Sequence, residues 1–385
     1  FLYSPALYWE FRDLKTGTPA TMSLLGSAYL HGKAWVNETD FHTSITSGKA
    51  PFGEGDTIDD DVLQQRRLQG WILANGLRQG WFNVGGINYD DPRLRQEIAK
   101  QTALALRAQD LDRTPVDKVA FIVDPKSVFL HAIGDLMGRE LLMMQLPALV
   151  RFGGASGYYA LADLDRIRDH KVFIFANVMA PTEEERKSID ALKRDGNTLV
   201  FIYAAGVYRD GKVDAAAMQA MTGIGIKQDT PAANLHVTIK TDDPAFAALN
   251  GMGYGTMRKV DPFFVPDDAD AKVIGRLDDG RPGLVVKRRK GWTSVYSAAP
   301  LLPAGLFRAL AEAADVHLFA EAGDALWATR DLLTISVEKG GKRDIRLPEK
   351  RHVFDAYEEK DLGVTDRFSV DIAPKDTRVF FLGRR

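Results

Sequence analysis

Four short apolar runs, separated by stretches of helical spacing, constrain this chain more than any other feature. They are Val119–Val123, 158–161, 172–176 and 199–203. A strand that is apolar at nearly every position must be covered on both faces. Such strands belong to parallel sheets flanked by helices. Helical spacing over 133–152 follows the first run. A second helix opens at Pro181-Thr182-Glu183-Glu184-Glu185 and closes at Asp195-Gly196. The alternation predicts right-handed βαβ units and a doubly wound α/β domain over 118–315. Within it, 273–297 reads as antiparallel around the turn Asp278-Asp279-Gly280, and 302–314 as one more helix.

The flanks differ. Residues 1–108 read as three strand–loop–helix units. Their strands are Phe1-Leu2-Tyr3-Ser4-Pro5, Lys33-Ala34-Trp35-Val36-Asn37-Glu38 and Gly80-Trp81-Phe82-Asn83-Val84-Gly85-Gly86. The second helix begins with Asp59, Asp60 and Asp61, where negative charge suits the helix dipole. Asp90-Asp91-Pro92 opens the third with an acidic cap and an early proline. The polar stretch 109–117 is a linker. From 316 to 385 the chain is a series of short strands with turn residues, as in a small β-sandwich.

A chain of 385 residues holds two or three domains. Lys and Arg total 50 against 52 Asp and Glu, interspersed, for a net charge of −2. No basic stripe marks a nucleic-acid partner. The absence of Cys excludes disulfides, cysteine nucleophiles and thiolate metal sites. Amidotransfer through a cysteine elbow is therefore excluded for 118–315, where the run at 199–203 leads into Ala204-Ala205-Gly206-Val207. The seven His residues lack ligand spacing, so no metal is expected. The glycines of Gly153-Gly154-Ala155-Ser156-Gly157 read as a helix stop rather than a phosphate cradle, and no cofactor is expected. The longest apolar run, 141–150, is interrupted by Gln145 and too short to span a bilayer, so no membrane partner is expected.

Glu38 is the principal candidate for chemistry. It ends an apolar strand and leads into the turn Thr39-Asp40-Phe41-His42-Thr43. In (β/α) barrels, catalytic groups sit at the carboxyl ends of the strands. The plainer alternative is a solvated surface carboxylate. Asp40 and His42 are placed to orient Glu38 or substrate hydroxyls, or are ordinary turn residues. Trp81 and Asn83 occupy alternating positions, so both would face one side of their strand as a platform and an amide. Alternatively, Trp81 fills the core. Tyr8, Trp9 and Arg12 follow the first strand and would line the same mouth. His31 and Lys33 read as structural.

The string from Leu30 to Thr43 resembles the strand-seven region of β-galactosidases of glycoside hydrolase family 42. The segment from Gly76 to Gly86 resembles the strand-eight region. Residues 118–315 resemble that family's trimerisation domain, which is flavodoxin-like and akin to class I glutamine amidotransferases. Residues 316–385 resemble its small C-terminal β domain. The resemblance implies the last strands of a (β/α)8 barrel with Glu38 as nucleophile, a carbohydrate substrate, retaining hydrolysis of a terminal β-linked sugar, and a homotrimer. Retaining hydrolysis needs a second carboxyl group about 5 Å from the first. In the family that residue follows strand four, which has no counterpart here. The expectation is an N-terminally incomplete chain that is inactive alone. The alternative is a non-catalytic oligomerisation or carbohydrate-binding protein built on the same domains.

Overall fold

The computed structural model describes residues 2–4, 11, 14, 23–40, 42–46, 55–83, 88–132 and 134–383. The chain divides into two compact units. The first joins residues 1–117, 150–155 and 317–385; the second joins 118–149 and 156–316.

The amino-terminal part of the first unit is a three-stranded parallel sheet in the order β1 (Leu2–Ser4), β2 (Trp35–Thr39), β3 (Arg78–Trp81). Helices α1 (Leu25–Leu30), α2 (Ile58–Ala74) and α3 (Pro92–Arg107) alternate with these strands. Thr57 caps α2 by accepting from Asp60 N–H, and Asp91 caps α3 by accepting from Arg93 N–H. Strand β3 starts two residues before the run chosen from sequence and ends at Trp81. Its ladder partner β2 ends at Thr39, opposite Trp81. The glycine-rich segment 84–87 lies outside the described residues.

In the second unit β4 (Val119–Val123), β5 (Ser156–Ala160), β6 (Val172–Phe175) and β7 (Asn197–Ile202) are parallel. All residues of β6 and β7 are buried, so both faces are covered. Helices α4 (Leu136–Leu141), α5 (Leu146–Leu149), α6 (Glu183–Ala191) and α7 (Ala215–Thr222) lie between or after these strands. A full capping box of Thr182 and Glu185 starts α6. Strands β8 (Tyr208–Arg209) and β9 (Lys212–Val213) form a small hairpin. Strand β10 (Ile226–Gln228) pairs with β13 (Phe264–Pro266).

The sheet continues through β11 (Asn234–Ile239), β12 (Gly253–Lys259), β14 (Lys272–Leu277), β15 (Pro282–Arg289) and β16 (Trp292–Ser297), followed by α8 (Ala304–Ala313). The nine-stranded order is β12-β11-β14-β15-β16-β7-β6-β4-β5. Strands β14, β15 and β16 pair antiparallel in succession, as the sequence reads, and β16 is also parallel to β7, so it joins the two halves of the sheet. Gly255 allows the β11–β12 pairing. It has φ of +107°, and a Cβ there would lie 1.9 Å from Leu235 O.

The carboxyl-terminal part of the first unit is one five-stranded antiparallel sheet. It comprises β17 (Ala325–Ala328), β18 (Leu332–Ser336), β19 (Gly341–Asp355), β20 (Lys360–Ile372) and β21 (Thr377–Gly383), in the order β17-β18-β21-β19-β20. Where the sequence reads as a sandwich of short strands, the structure has one sheet, and β19 runs on through a register shift between Arg346 and Arg351. Leu333, Ile335, Val353 and Phe380 fill one core.

Helix α2 closes on this sheet at Gly70. Thr334 Oγ1 donates to Gly70 O at 3.0 Å, and a Cβ at position 70 would lie 2.7 Å from Thr334 Cγ2. Arg66 grips the buried Glu97 with two 3.2 Å hydrogen bonds and stacks over Tyr357, joining α2, α3 and the sheet's loop. Among the described residues, no helix is long and apolar enough to cross a membrane.

Candidate active site

The alternation of β2 sets the geometry. Trp35, Asn37 and Thr39 are buried, while Val36 and Glu38 on the opposite face are half-buried. On the buried face Thr39 is satisfied, whereas the Trp35 indole N–H has no hydrogen-bond partner among the described residues. Gln79 Nε2 donates to Thr39 Oγ1 at 3.0 Å, and Tyr89 OH donates to Thr39 O at 3.0 Å. On the other face Glu38 stands in register with Gly80, which has no side chain to cover it. A carboxylate on a rigid strand end beside an open position can act as a nucleophile or a general base.

The loop after β2 is pinned from below. Asp61, in the first turn of α2 and buried, accepts from Ser44 N–H at 2.9 Å and from Ser44 Oγ at 2.7 Å. Thr43 N–H donates to Thr46 Oγ1 at 3.0 Å, and Thr43 Oγ1 donates to Asn88 O. Thr46 Oγ1 donates to Asn88 Oδ1 at 3.3 Å, and Asn88 N–H donates to Asn83 Oδ1 at 3.1 Å. Thr43 and Thr46 after β2 and Asn83 and Asn88 after β3 are therefore one hydrogen-bonded assembly, built by short polar side chains that offer the backbone local partners.

Glu38, Asp40 and His42 stand at the end of one strand, all half-buried. Trp81 pairs in register with Thr39 and so shares the face opposite Glu38. It packs edge-to-face on Tyr89, with ring centroids 5.3 Å apart. Asn83 lies beyond the end of β3, so strand alternation does not extend to it, and its side chain anchors the loop at Asn88. The structure thus separates Trp81 from Glu38 by strand face. Tyr8, Trp9 and Arg12 lie outside the described residues. His31 and Lys33 are exposed ahead of β2.

Sequence reasoning missed Asp61, Asn88 and Tyr89. Asp61 read only as helix-dipole charge, although it shares its helical phase with Leu68 and Ile72, at i+7 and i+11. An acidic residue on the buried stripe needs an internal partner. Among the described residues, no cluster of three or more His, Asp or Glu side chains could hold a metal ion.

No family model matches the chain, and no curated protein matches it. Solved glycosidase structures do resemble it. The β-galactosidase from Rahnella sp. R3 has a TM-score of 0.64 at 15% identity, over 91% of this chain and 55% of that chain. A catalytic mutant of Gan42B, a GH42 β-galactosidase from G. stearothermophilus, gives 0.59 at 15% identity, over 84% of this chain and 50% of that chain. The α-L-fucosidase isoenzyme 2 from Paenibacillus thiaminolyticus gives 0.60 at 12% identity, over 100% of this chain and 65% of that chain. The chain thus spans 50 to 65% of the length of these three proteins. At such identities the likeness is one of fold: this is a mixed α/β chain with a large sheet and a glycosidase-like fold, similar to part of the GH42 β-galactosidase structures.

Proposed function

We propose that this chain carries part of a retaining glycosidase, β-galactosidase-like, in which Glu38 is the nucleophilic carboxylate. The observation that carries the reading is Glu38 itself, at the carboxyl end of a parallel strand, facing Gly80 and backed by pinned loops, in a glycosidase-like fold. In the proposed reaction a Glu38 oxygen attacks the anomeric carbon of a terminal β-linked sugar and the leaving oxygen departs with a proton from an acid. Water then cleaves the glycosyl ester, with the same group as base. The acid/base role is assigned to no residue of this chain. Asp40 and His42 hold sugar hydroxyls in this reading, while Asn83 and Trp81 support the site through the loop and strand they anchor.

The test separates nucleophile from acid. An activated fluoro-galactoside with a dinitrophenolate leaving group needs no proton donor. Incubated with the 385-residue protein, it is expected to leave a fluoro-galactosyl ester on the peptide containing Glu38 and none in Glu38→Gln. Ordinary alkyl galactosides are expected to go uncleaved by this chain alone. Absence of the label, or its presence on another residue, removes Glu38 from the mechanism.

Exposed apolar side chains on the second unit favour a further reading, a non-catalytic assembly. Phe129 is 88% exposed and Met257 68%. The proposed assembly is a homotrimer through this unit. Light scattering is expected to give a trimer mass that falls to the monomer value in Phe129→Asp; a monomer in the unmodified protein overturns it.

A further inference from the structure

The second unit holds a cavity of about 520 Å³ at the carboxyl ends of its parallel strands. It is lined by residues that follow β4 (His131, Asp135), β6 (Met179) and β7 (Tyr203). Strand β4 is where the order reverses, with β5 on one edge and β6 and β7 on the other. Open α/β sheets bind ligands at such switch points. The volume is that of a small-molecule site.

The backbone at its floor is held out of the ordinary. Tyr203 has φ of +55°, strained for a bulky residue. Three bonds hold it there: its N–H donates to Ser297 O at 2.7 Å, its carbonyl accepts from Tyr296 OH at 2.8 Å, and its hydroxyl donates to Pro262 O at 2.6 Å. Strain over-determined in this way clusters at ligand sites.

The lining chemistry specifies the occupant. Tyr203, Tyr208 and Phe264 supply aromatic surface. The fixed charges balance, with Asp135 and Asp261 against Arg258 and Lys259. Arg258 is held by a two-pronged contact to Glu140, at 2.8 and 3.3 Å. His131 Nδ1 meets Asp135 at 2.8 Å, while its Nε2 is buried with no partner among the described residues. Lys259 and Asp261 form no ion pair among the described residues. A charged ligand gains little from a lining of balanced sign. A neutral molecule with many hydroxyls gains from both, donating to carboxylate and imidazole and accepting from the cations, with its apolar ring face on the tyrosines.

We propose that this cavity is a binding site for a neutral polyhydroxylated ligand, a mono- or disaccharide, independent of Glu38. The test is calorimetric titration of the whole chain with glucose, galactose and lactose, with galacturonate and benzoate as anionic comparators. Saturable binding of at least one neutral sugar is expected. It should weaken about tenfold in Asp261→Asn and in Tyr208→Ala. Asp261 is exposed, so Asp261→Asn carries the test if Tyr208→Ala fails to fold. No saturable binding of any of the three sugars, tighter binding of either anion, or binding kept in full in Asp261→Asn each overturns the proposal. The fluoro-galactoside label at Glu38 is read separately, so either proposal can fail alone.

Discussion

Strands β2 and β7 are both parallel strands of the same chain, yet their surroundings differ. All six residues of β7 are buried, in a run that becomes wholly apolar from Leu199. Strand β2 is buried on one face only. That face carries Asn37 and Thr39, satisfied by side-chain hydrogen bonds, and the other carries half-buried Val36 and Glu38. A strand covered on both faces has no place for a charge without a partner. A strand with one half-open face does, at the cost of apolar burial. The second unit is therefore built for rigidity along its central strands, and the first keeps a carboxylate at reach of solvent.

The largest effect should come from truncating the doubly covered strand. Phe201 is fully buried and stacks on Phe175, with centroids 5.0 Å apart and planes at 11°. Phe201→Ala is expected to cost about 3–5 kcal/mol. Val36→Ala, on the half-open face of β2, is expected to cost roughly 1 kcal/mol or less. Denaturant unfolding checks both. Equal losses would show that the two strands are covered alike and break the comparison.

Next come the contacts that hold the first unit together. Gly70→Ala puts a methyl 2.7 Å from Thr334 Cγ2 and 2.9 Å from Thr377 Cγ2. Such overpacking is expected to cost about 1–3 kcal/mol, read as a lower unfolding midpoint. Asp61→Ala strips Ser44 of its acceptor and is expected to cost about 1–2 kcal/mol, with faster amide exchange over residues 43–46. Asp59, two residues earlier, has a side chain that is 83% exposed. Asp59→Ala should change exchange there little; if both variants behave alike, Asp61 is not the clamp.

The sequence made some of this legible for a physical reason. Strands β4, β6 and β7 are continuous apolar runs because both their faces are buried, and such runs announce themselves. Strand β3, reading Arg78-Gln79-Gly80-Trp81, carries no such signal. Its place is set by pairing with β2, so the sequence pulled it two residues towards the aromatic run. Strands β12 and β13 went unread because Gly253 and Gly255 interrupt the first and Pro262 precedes the second, and pairing across a bulge leaves little local trace. At the candidate site, Glu38 was visible from its place at the end of a strand. The contribution of Asn88 was not, because it depends on a partner 45 residues away. Trp81 was read through an alternation that held for a longer strand than the one that forms.

The smallest effect concerns how the two units respond to acid. Asp243, in the second unit, is buried; burial alone would raise its pKa, but the two-pronged contact with Arg288, at 2.8 and 3.1 Å, holds it below the usual carboxylate range. Its contribution is present above the unfolded pKa of about 3.9 and lost as pH falls through the lower folded value. Asp376, in the first unit, behaves in the opposite sense. Burial pushes its carboxyl up, and the Thr377 N–H and Arg66 only partly oppose this. A raised folded pKa means that the folded state holds its proton longer than the unfolded state. Stability from this group is therefore full below the unfolded pKa and declines as pH climbs through the folded one. Asp376→Asn keeps the oxygen that accepts from Thr377 N–H at 2.8 Å and removes the buried charge. It is expected to stabilise the first unit at neutral pH by less than about 1 kcal/mol and to lose that advantage as pH falls towards the unfolded carboxylate pKa. Unfolding of both proteins across that pH range checks the sign. A variant that is less stable at neutral pH would mean that Arg66 stabilises the ionised Asp376 by more than its burial costs.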